Sequence, residues 1–282
     1  MSNPLLINAS ELKEMAKSDD VVIIDTRSPE AFAIGHIPNA VNIHDIFTFL
    51  ASSTPEGLDE LKSNFAQIFG AAGLSGKETA VLYEESLDTG FGQSCRGYFL
   101  LTYMGYEKVK ILQGGYQSWV AEGFTASKEP STPEAKTFPL KDTGNTFMVN
   151  KDEVLAALDS DITLLDVRDV DEWIADSSSP YGKDFSPRKG RLPGAVWIEW
   201  YRMMKPGVTP MFKSPEEILA ECKTVGISKD TPVYLYCFKG ARASNTLVAL
   251  KSAGIDNVKM YFGSWNEWSQ DPALPIEEGL PF

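Results

Sequence analysis

Histidine is scarce in this chain: only His36 and His44 are present among 282 residues, and both lie in the first third of the sequence. A histidine-rich metal site is therefore not expected, and a hydrolase that pairs serine or cysteine with histidine would have to recruit one of these two. The three cysteines, Cys95, Cys222 and Cys237, are too few and too scattered for a disulfide framework or a zinc knuckle. The sequence thus predicts no metal, no cofactor and a reducing compartment.

Positive charge is also in deficit, since 26 basic side chains stand against 39 acidic ones and the formal net charge is −13. Nucleic acids and anionic membranes need a basic footprint, so we expect neither as a partner, although a local pocket can still hold a small anion. The N-terminus lacks a basic segment ahead of an apolar run, and no window approaches the ~18 apolar residues of a membrane span. The expected location is the cytoplasm.

An internal repeat is the main feature that the sequence does contain. Each copy opens on an asparagine with a glutamate three positions later, a pattern that begins helices. An apolar run ending in Asp-x-Arg follows, then a turn with proline, a second apolar run, a helical segment and a closing Gly-to-Trp motif. The paired segments are 8–11 with 150–153, VVIIDTR at 21–27 with TLLDVR at 163–168, GHIPNAVNI at 35–43 with GRLPGAVWI at 190–198, TAVLY at 79–83 with PVYLY at 232–236, and 114–119 with 263–268.

The repeat divides the chain into two domains of one architecture. Residues 126–146 concentrate Pro, Ser, Thr and Lys without apolar periodicity, which indicates a linker between domains at 1–125 and 147–282. Strand-like runs alternate with helical segments in each half. The predicted fold class is therefore α/β, with two tandem domains, each a mainly parallel sheet flanked by helices on both faces. The second copy has extra polar residues between Trp173 and Arg191, a loop that either covers a site or lies on the surface.

The loop after the apolar run at 232–236 carries the chemistry of the second copy. Ligands of open α/β sheets bind beyond the carboxyl ends of the strands. Here that position holds, in order, Cys237, Phe238, Lys239, Gly240, Ala241 and Arg242, followed by a helical segment. Backbone amides and the dipole at a helix N-terminus stabilise a thiolate, while the lysine and arginine add positive charge and the glycine permits close backbone approach. A lone cysteine at a strand end is more often a buried apolar residue, but this pattern favours a nucleophile.

The spacing within this loop distinguishes two kinds of cysteine chemistry. A cysteine-dependent phosphatase places its arginine six positions after the cysteine, in a loop that wraps a tetrahedral anion. Here Arg242 comes five positions after Cys237, and the smaller ring of amides suits a single sulfur atom on the cysteine, that is, a persulfide. A phosphatase or an arsenate reductase stays open as an alternative that the spacing disfavours.

Together these motifs resemble the tandem-domain rhodaneses, the family of thiosulfate and 3-mercaptopyruvate sulfurtransferases, over nearly the whole chain. The resemblance implies that Cys237 takes a sulfane sulfur from thiosulfate and passes it to cyanide or a thiol. It also implies that residues Phe238 to Arg242 bind the substrate, with their amides stabilising both thiolate and persulfide. The implied partners are a small anionic sulfur donor and an acceptor, either cyanide or a thiol such as that of a thioredoxin-like protein.

The identity of the donor depends on a few charged residues. Lys239 stands where thiosulfate-using members of the family carry a basic residue, whereas mercaptopyruvate-using members have small uncharged ones. Glu172 occupies a position at which vertebrate-type enzymes have an arginine that helps to hold the donor, so the donor assignment rests on Lys239 and Arg242, with Arg188 as a further candidate. A 3-mercaptopyruvate sulfurtransferase, a protein-directed persulfide carrier and a non-enzymatic binding module remain alternatives.

The first copy is expected to be catalytically silent. Glu84 occupies the position of Cys237 and cannot carry a sulfane sulfur, and the segment after it is longer than in the second copy. Cys95 falls beyond the loop and Cys222 lies on an apolar helix face, so neither is expected to act. The Asp-x-Arg arginines and His36 are expected to be structural.

Overall fold

The computed structural model describes residues 5–50 and 52–281, which form two compact units. The first contains the chain up to Phe49 together with Asp59–Gly144 and Met204–Phe212, and the second contains Leu50–Leu58, Asn145–Met203 and the chain from Lys213 onward. The division thus differs from the one expected from the repeat, because each unit includes a short segment from the other half of the sequence.

The first unit is built on a five-stranded sheet in which all neighbours are parallel. Its strands are β1 (Leu6–Ile7), β2 (Val21–Asp25), β3 (Val41–Asn42), β4 (Thr79–Tyr83) and β5 (Val109–Leu112), in the order β1-β5-β4-β2-β3. The helices of this half of the chain are α1 (Ala9–Met15), α2 (Pro29–Ile34), α3 (Asp45–Thr48), α4 (Pro55–Ala71), α5 (Gln93–Tyr103) and α6 (Gly115–Ala121).

The second unit repeats this architecture. The strands of this half of the chain are β6 (Met148–Val149), β7 (Thr163–Asp166), β8 (Val196–Trp197), β9 (Met204–Lys205), β10 (Met211–Phe212), β11 (Val233–Tyr236) and β12 (Val258–Tyr261), and its helices are α7 (Lys151–Ala157), α8 (Val170–Trp173), α9 (Pro215–Lys223), α10 (Ala241–Ser252) and α11 (Ser264–Trp268). The sheet is parallel throughout, with the order β6-β12-β11-β7-β8. The pair β9 and β10 is antiparallel and lies in the first unit.

Local sequence patterns explain most of these elements. Asn8 with Glu11 and Asn150 with Glu153 form capping boxes that begin α1 and α7, as the repeat predicted. The central strands are apolar and buried, as expected for parallel strands covered on both faces. The predicted fold class is therefore confirmed: both units are parallel sheets flanked by helices.

The segment expected to be a linker packs against the first unit over most of its length. Ser127 pairs with His36 in an isolated antiparallel bridge, Lys136 forms an ion pair with Glu78 at 2.8 Å, and Phe138 is buried. These contacts could not be predicted from the composition of the segment, because one aromatic residue and one lysine do not produce a periodic apolar pattern. Across the described parts of the chain, no helix is both long and apolar enough to cross a membrane.

Candidate active site

Cys237 lies directly after β11, at the start of the loop that leads into α10. Its side chain is buried, and its Sγ accepts a hydrogen bond from the N–H of Gly240 at 3.1 Å. Gly240 has a φ of +93°, and a Cβ atom there would lie 2.8 Å from the ring of Phe262. Glycine is therefore required both by the backbone conformation and by the close packing that turns the amide toward the sulfur.

Helix α11 follows β12, the strand beside β11, and the N–H groups at its N-terminus donate to the backbone of the same loop. The N–H of Trp265 donates to the carbonyl of Cys237 at 3.1 Å, and the N–H of Asn266 donates to the carbonyl of Phe238 at 2.9 Å. Because the C=O and N–H of one trans peptide point in opposite directions, the amides of Phe238 and Lys239 face away from α11. Two backbone hydrogen bonds thus fix the orientation of the peptides that follow the thiol.

Ser264 also contacts the backbone of Cys237, although the sequence of the loop does not indicate it. Its Oγ accepts a hydrogen bond from the N–H of Cys237 at 3.2 Å and donates one to the carbonyl of Tyr261 at 2.8 Å. Ser264 is fully buried and has a φ of +53°, a conformation that L-residues rarely adopt. The corresponding residue of the first copy is Gly115, so the exchange of glycine for serine between the copies was the available signal.

Arg242 is held by two acidic side chains. Its guanidinium forms a bidentate pair with the carboxylate of Glu172, at 2.6 and 3.1 Å, and lies 3.1 Å from that of Asp169. Burial raises the pKa of Glu172, an effect that Arg242 opposes. The expectation that Arg242 adds positive charge to the loop is therefore corrected, because two carboxylates compensate that charge. The two acids precede Arg242 by about 70 positions, so the loop sequence could not reveal them.

The same carboxylates form, with Asp171, a group close enough together to hold a metal ion. Two of its three members are already paired with Arg242. In the described part of the chain these two carboxylates therefore act as a clamp on Arg242.

The insertion between Trp173 and Arg191 covers the loop rather than lying apart from it. The rings of Tyr181 and Phe185 pack edge-on against Phe238, with centroid distances of 5.6 and 5.9 Å. The Nζ of Lys239 lies 4.9 Å from the centroid of the Tyr181 ring. Of the two interpretations of the insertion, the structure supports a loop that covers a site.

Comparison with known proteins agrees with this geometry. The rhodanese-like domain family matches the chain twice, over residues 8–122 and 150–271. The chain belongs to the rhodanese family. A thiosulfate sulfurtransferase from Azotobacter vinelandii is 28% identical over 278 residues, which cover 98% of this chain and 98% of that relative. The sulfur carrier protein TtuD from Thermus thermophilus is 29% identical, over 95% of this chain and 92% of the relative.

Solved structures resemble the chain over almost its full length. The anaerobic ergothioneine biosynthesis enzyme from Chlorobium limicola, in complex with trimethyl histidine, has a TM-score of 0.81 and 27% identity, over 99% of this chain and 71% of that one. A structure of EanB with ergothioneine covalently linked to a persulfide has a TM-score of 0.84 and 26% identity, over 98% of this chain and 70% of that one. These relatives support a sulfurtransferase activity.

The Asp-x-Arg pairs are structural in both rhodanese domains, as predicted. In the second, the guanidinium of Arg168 is buried against the carboxylate of Asp166, with Nη2 at 2.6 Å, and it also donates to the carbonyl of Gly190. The hydroxyl of Tyr236 donates to the same carboxylate at 2.7 Å. The first domain repeats these contacts with Arg27, Asp25, Gly35 and Tyr83.

Two other residues are structural as well. The ring nitrogens of His36 lie 2.9 Å from the carbonyl of Phe32 and 3.0 Å from that of Glu129, which confirms the expected role. Arg188 donates to four backbone carbonyls of the C-terminal segment, among them those of Leu274 at 2.7 Å and Trp268 at 2.8 Å. Arg188 was a further candidate for holding a donor, and its guanidinium is instead occupied by these carbonyls.

Glu84 fills the cysteine position of the first rhodanese domain. Its buried carboxyl accepts hydrogen bonds from the N–H of Gln93 and the hydroxyl of Ser94, each at 2.8 Å, and burial raises the pKa of Glu84 to about 8. A Cβ atom on Gly90 would lie 2.1 Å from this carboxyl, so the loop closes tightly around it.

The other two thiols lie in surroundings that disfavour the thiolate form. Both are fully buried. Burial and the nearby Glu84 raise the pKa of Cys95, and burial raises the pKa of Cys222 to about 11. Since the thiolate is the reactive form, Cys95 and Cys222 are suited to the core.

Proposed function

We propose that the second rhodanese domain transfers a sulfane sulfur from thiosulfate through a persulfide on Cys237. The thiolate attacks the outer sulfur of thiosulfate, the S–S bond breaks, and sulfite leaves with the electron pair. Cyanide or a thiolate then attacks the terminal sulfur of the persulfide and regenerates the Cys237 thiolate. A covalent intermediate divides the transfer into two steps, so ping-pong kinetics are expected.

The hydrogen bond from Gly240 to the sulfur of Cys237 is the observation that carries this proposal. It shows that the loop presents an amide to the thiol, at the N-terminus of a helix of 12 residues. Amides oriented in advance stabilise an anionic sulfur without reorganisation during the reaction. We assign the binding of the donor to Phe238, Lys239, Gly240, Ala241 and Arg242. The persulfide seen in EanB supports the intermediate, and the Azotobacter relative supports thiosulfate as the donor.

The formation of thiocyanate from thiosulfate and cyanide tests this proposal. Wild type and Cys95→Ser should both turn over, because Cys95 is buried in the first unit. Cys237→Ser should be inactive, since a hydroxyl does not form the persulfide. Turnover by Cys237→Ser, or none by wild type, would contradict the assignment.

A persulfide carrier that serves a protein or small thiol is the second candidate. The pairing of Arg242 with two carboxylates favours it, because a compensated arginine attracts a dianion less strongly. The Thermus sulfur carrier is a relative of matching length. In this case a thioredoxin-like dithiol would accept the sulfur faster than cyanide at equal concentration.

The sulfur donor is tested separately. If 3-mercaptopyruvate forms the persulfide on Cys237 and thiosulfate does not, the donor is 3-mercaptopyruvate.

We further propose that the first domain, at 1–125, is catalytically silent. Its loop encloses the carboxyl of Glu84, and a carboxyl group cannot carry a sulfane sulfur. The second domain, at 147–282, would then hold the complete set of reacting groups.

A further inference from the structure

The insertion at 174–190 is anchored as a definite structure. The N–H of Ser186 donates to the Oγ of Ser178 at 2.9 Å, and both serines are buried. The N–H of Ser178 donates to the carbonyl of Lys183 at 2.9 Å, which closes the loop on itself. The carbonyl contacts of Arg188 fix its other end. A loop held in this way presents its tip in one position.

The middle of the insertion carries two aromatic residues, Tyr181 and Phe185. Each contacts the loop at 237–242, called the active loop below, and each is also partly exposed to solvent. Tyr181 and Phe185 pack against each other, with centroids 5.6 Å apart, and both contact Phe238, which directly follows Cys237. They nevertheless remain 50% and 61% exposed. Rings that are half-exposed bury little apolar area, so burial does not account for the presence of two aromatic side chains here. Their contacts with Phe238 do account for it.

Tyr181 also contacts the charged residue of the loop. The ammonium of Lys239 lies 4.9 Å from the centroid of the Tyr181 ring, within the range of a cation–π contact. A lysine side chain has many accessible rotamers, and a ring against its ammonium restricts them. The ring carries no net charge, so this contact orients the ammonium without neutralising it. The carboxylates that hold Arg242, in contrast, cancel its charge.

We propose that Tyr181 is a positioning residue that holds the ammonium of Lys239, two positions after Cys237, so that the insertion determines affinity for a small anionic sulfur donor. This inference rests on the proposed sulfur transfer. It assigns to the insertion, which the first copy lacks, the selection of the donor rather than a step of the chemistry. The proposal involves binding only, and Tyr181 neither forms nor breaks a bond.

Steady-state kinetics of thiosulfate with cyanide test the proposal through a double-mutant cycle. Tyr181→Leu keeps an apolar side chain and removes the ring, so the KM for thiosulfate should rise about two- to fivefold, the factor expected of a partly exposed cation–π contact. The kcat should change by less than about twofold, because the reacting atoms are untouched. Tyr181→Phe, which keeps the ring, should retain the wild-type KM.

The cycle then asks whether Tyr181 acts through Lys239. In a Lys239→Ala background, Tyr181→Leu should leave the KM unchanged, since the ammonium it orients is gone. Lys183→Ala is the matched control: it removes a positive charge from the same loop, and that charge is exposed and paired with Asp176. This control should keep the wild-type KM.

The outcomes separate this inference from the proposed function. Wild-type turnover of thiosulfate together with an unchanged KM in Tyr181→Leu would overturn the role of Tyr181 alone. Equal effects of Tyr181→Leu in both backgrounds would also overturn it, since the ring would then act independently of Lys239. Failure of the wild type to use thiosulfate would overturn both proposals. Thermal unfolding midpoints check that each variant is folded. Because Tyr181 is half-exposed, its substitution should leave the fold intact.

Discussion

Individual residues that are distant in the sequence determine the surroundings of Cys237. The thiol, the glycine and the arginine of the loop could be predicted, because they follow one another at a fixed spacing. Ser264 and the two acids that bind Arg242 could not be predicted. They belong to other segments of the chain and come close to the loop only through the tertiary fold. The charges around the loop were for this reason harder to predict than the position of the thiol.

The strained Ser264, which contacts the backbone of Cys237, gives one prediction at this scale. Ser264→Gly relieves a positive φ, worth about 1 kcal/mol, and loses hydrogen bonds of similar total value, so the free energy of unfolding should change little. Sulfur transfer should nevertheless slow by about fivefold, because the N–H of Cys237 loses its acceptor. Unfolding and turnover are measured on the same preparation.

Ser264→Ala is the control for this prediction. It keeps the strained Cβ and loses the hydroxyl, so it should be less stable than Ser264→Gly by about 1 kcal/mol. Wild-type turnover in both variants would show that the hydroxyl does not position the loop.

The compensation of Arg242 gives a second prediction. Glu172→Gln removes one of the two negative charges on this guanidinium, so the KM for thiosulfate should fall by about two- to tenfold. Asp171→Asn removes the same charge from the same helix without a contact to Arg242, and its effect should be smaller. An unchanged or higher KM in Glu172→Gln would show that Arg242 does not attract the donor.

At the scale of secondary-structure elements, local pattern and tertiary contact contribute in different places. The capping asparagines and the buried strands were predictable, because both signals lie within a few neighbouring residues. The assignment of 50–58 to the second unit was not. In this segment Ser53 is bound by a residue far along the chain: its N–H and Oγ donate to the carboxylate of Glu267 at 2.6 and 2.7 Å, more than 200 positions away.

The loop between β4 and α5 encloses Glu84 and makes stability depend on pH. The unfolded glutamate titrates near 4.5, while burial raises the folded pKa to about 8. Between these values unfolding releases a proton, so the free energy of unfolding should fall as pH rises, by about 1.4 kcal/mol per pH unit, and level off above the folded pKa. Glu84→Gln does not titrate and should lack this component.

Denaturant unfolding of wild type and Glu84→Gln across this pH range measures the difference in slope. The contribution of Glu84 should be fully favourable below about pH 4.5 and lost near pH 8. Parallel curves for the two proteins would mean that the buried carboxyl does not titrate in this window.

Across the whole molecule, the two copies share the same backbone hydrogen bonds around the loop after the central strand. They differ in the side chain at the start of that loop, which is Glu84 in the first copy and Cys237 in the second. In the first, the N–H groups of Tyr116 and Gln117 donate to the carbonyls of Glu84 and Glu85, just as α11 does around Cys237. The repeat was visible in sequence because this framework depends on short motifs. Both sheets have the same strand order, and in the loop after β11 the N–H of Gly240 donates to the sulfur of Cys237, where the first copy holds the carboxyl of Glu84. We therefore propose that the second copy carries the sulfur.

The intact mass of the full chain after incubation with thiosulfate tests this conclusion most directly. One sulfur atom should be gained per chain, on the peptide that contains Cys237, and the gain should vanish with Cys237→Ser or after addition of cyanide. No gain, or a sulfur located on Cys95 or Cys222, would contradict the proposed chemistry.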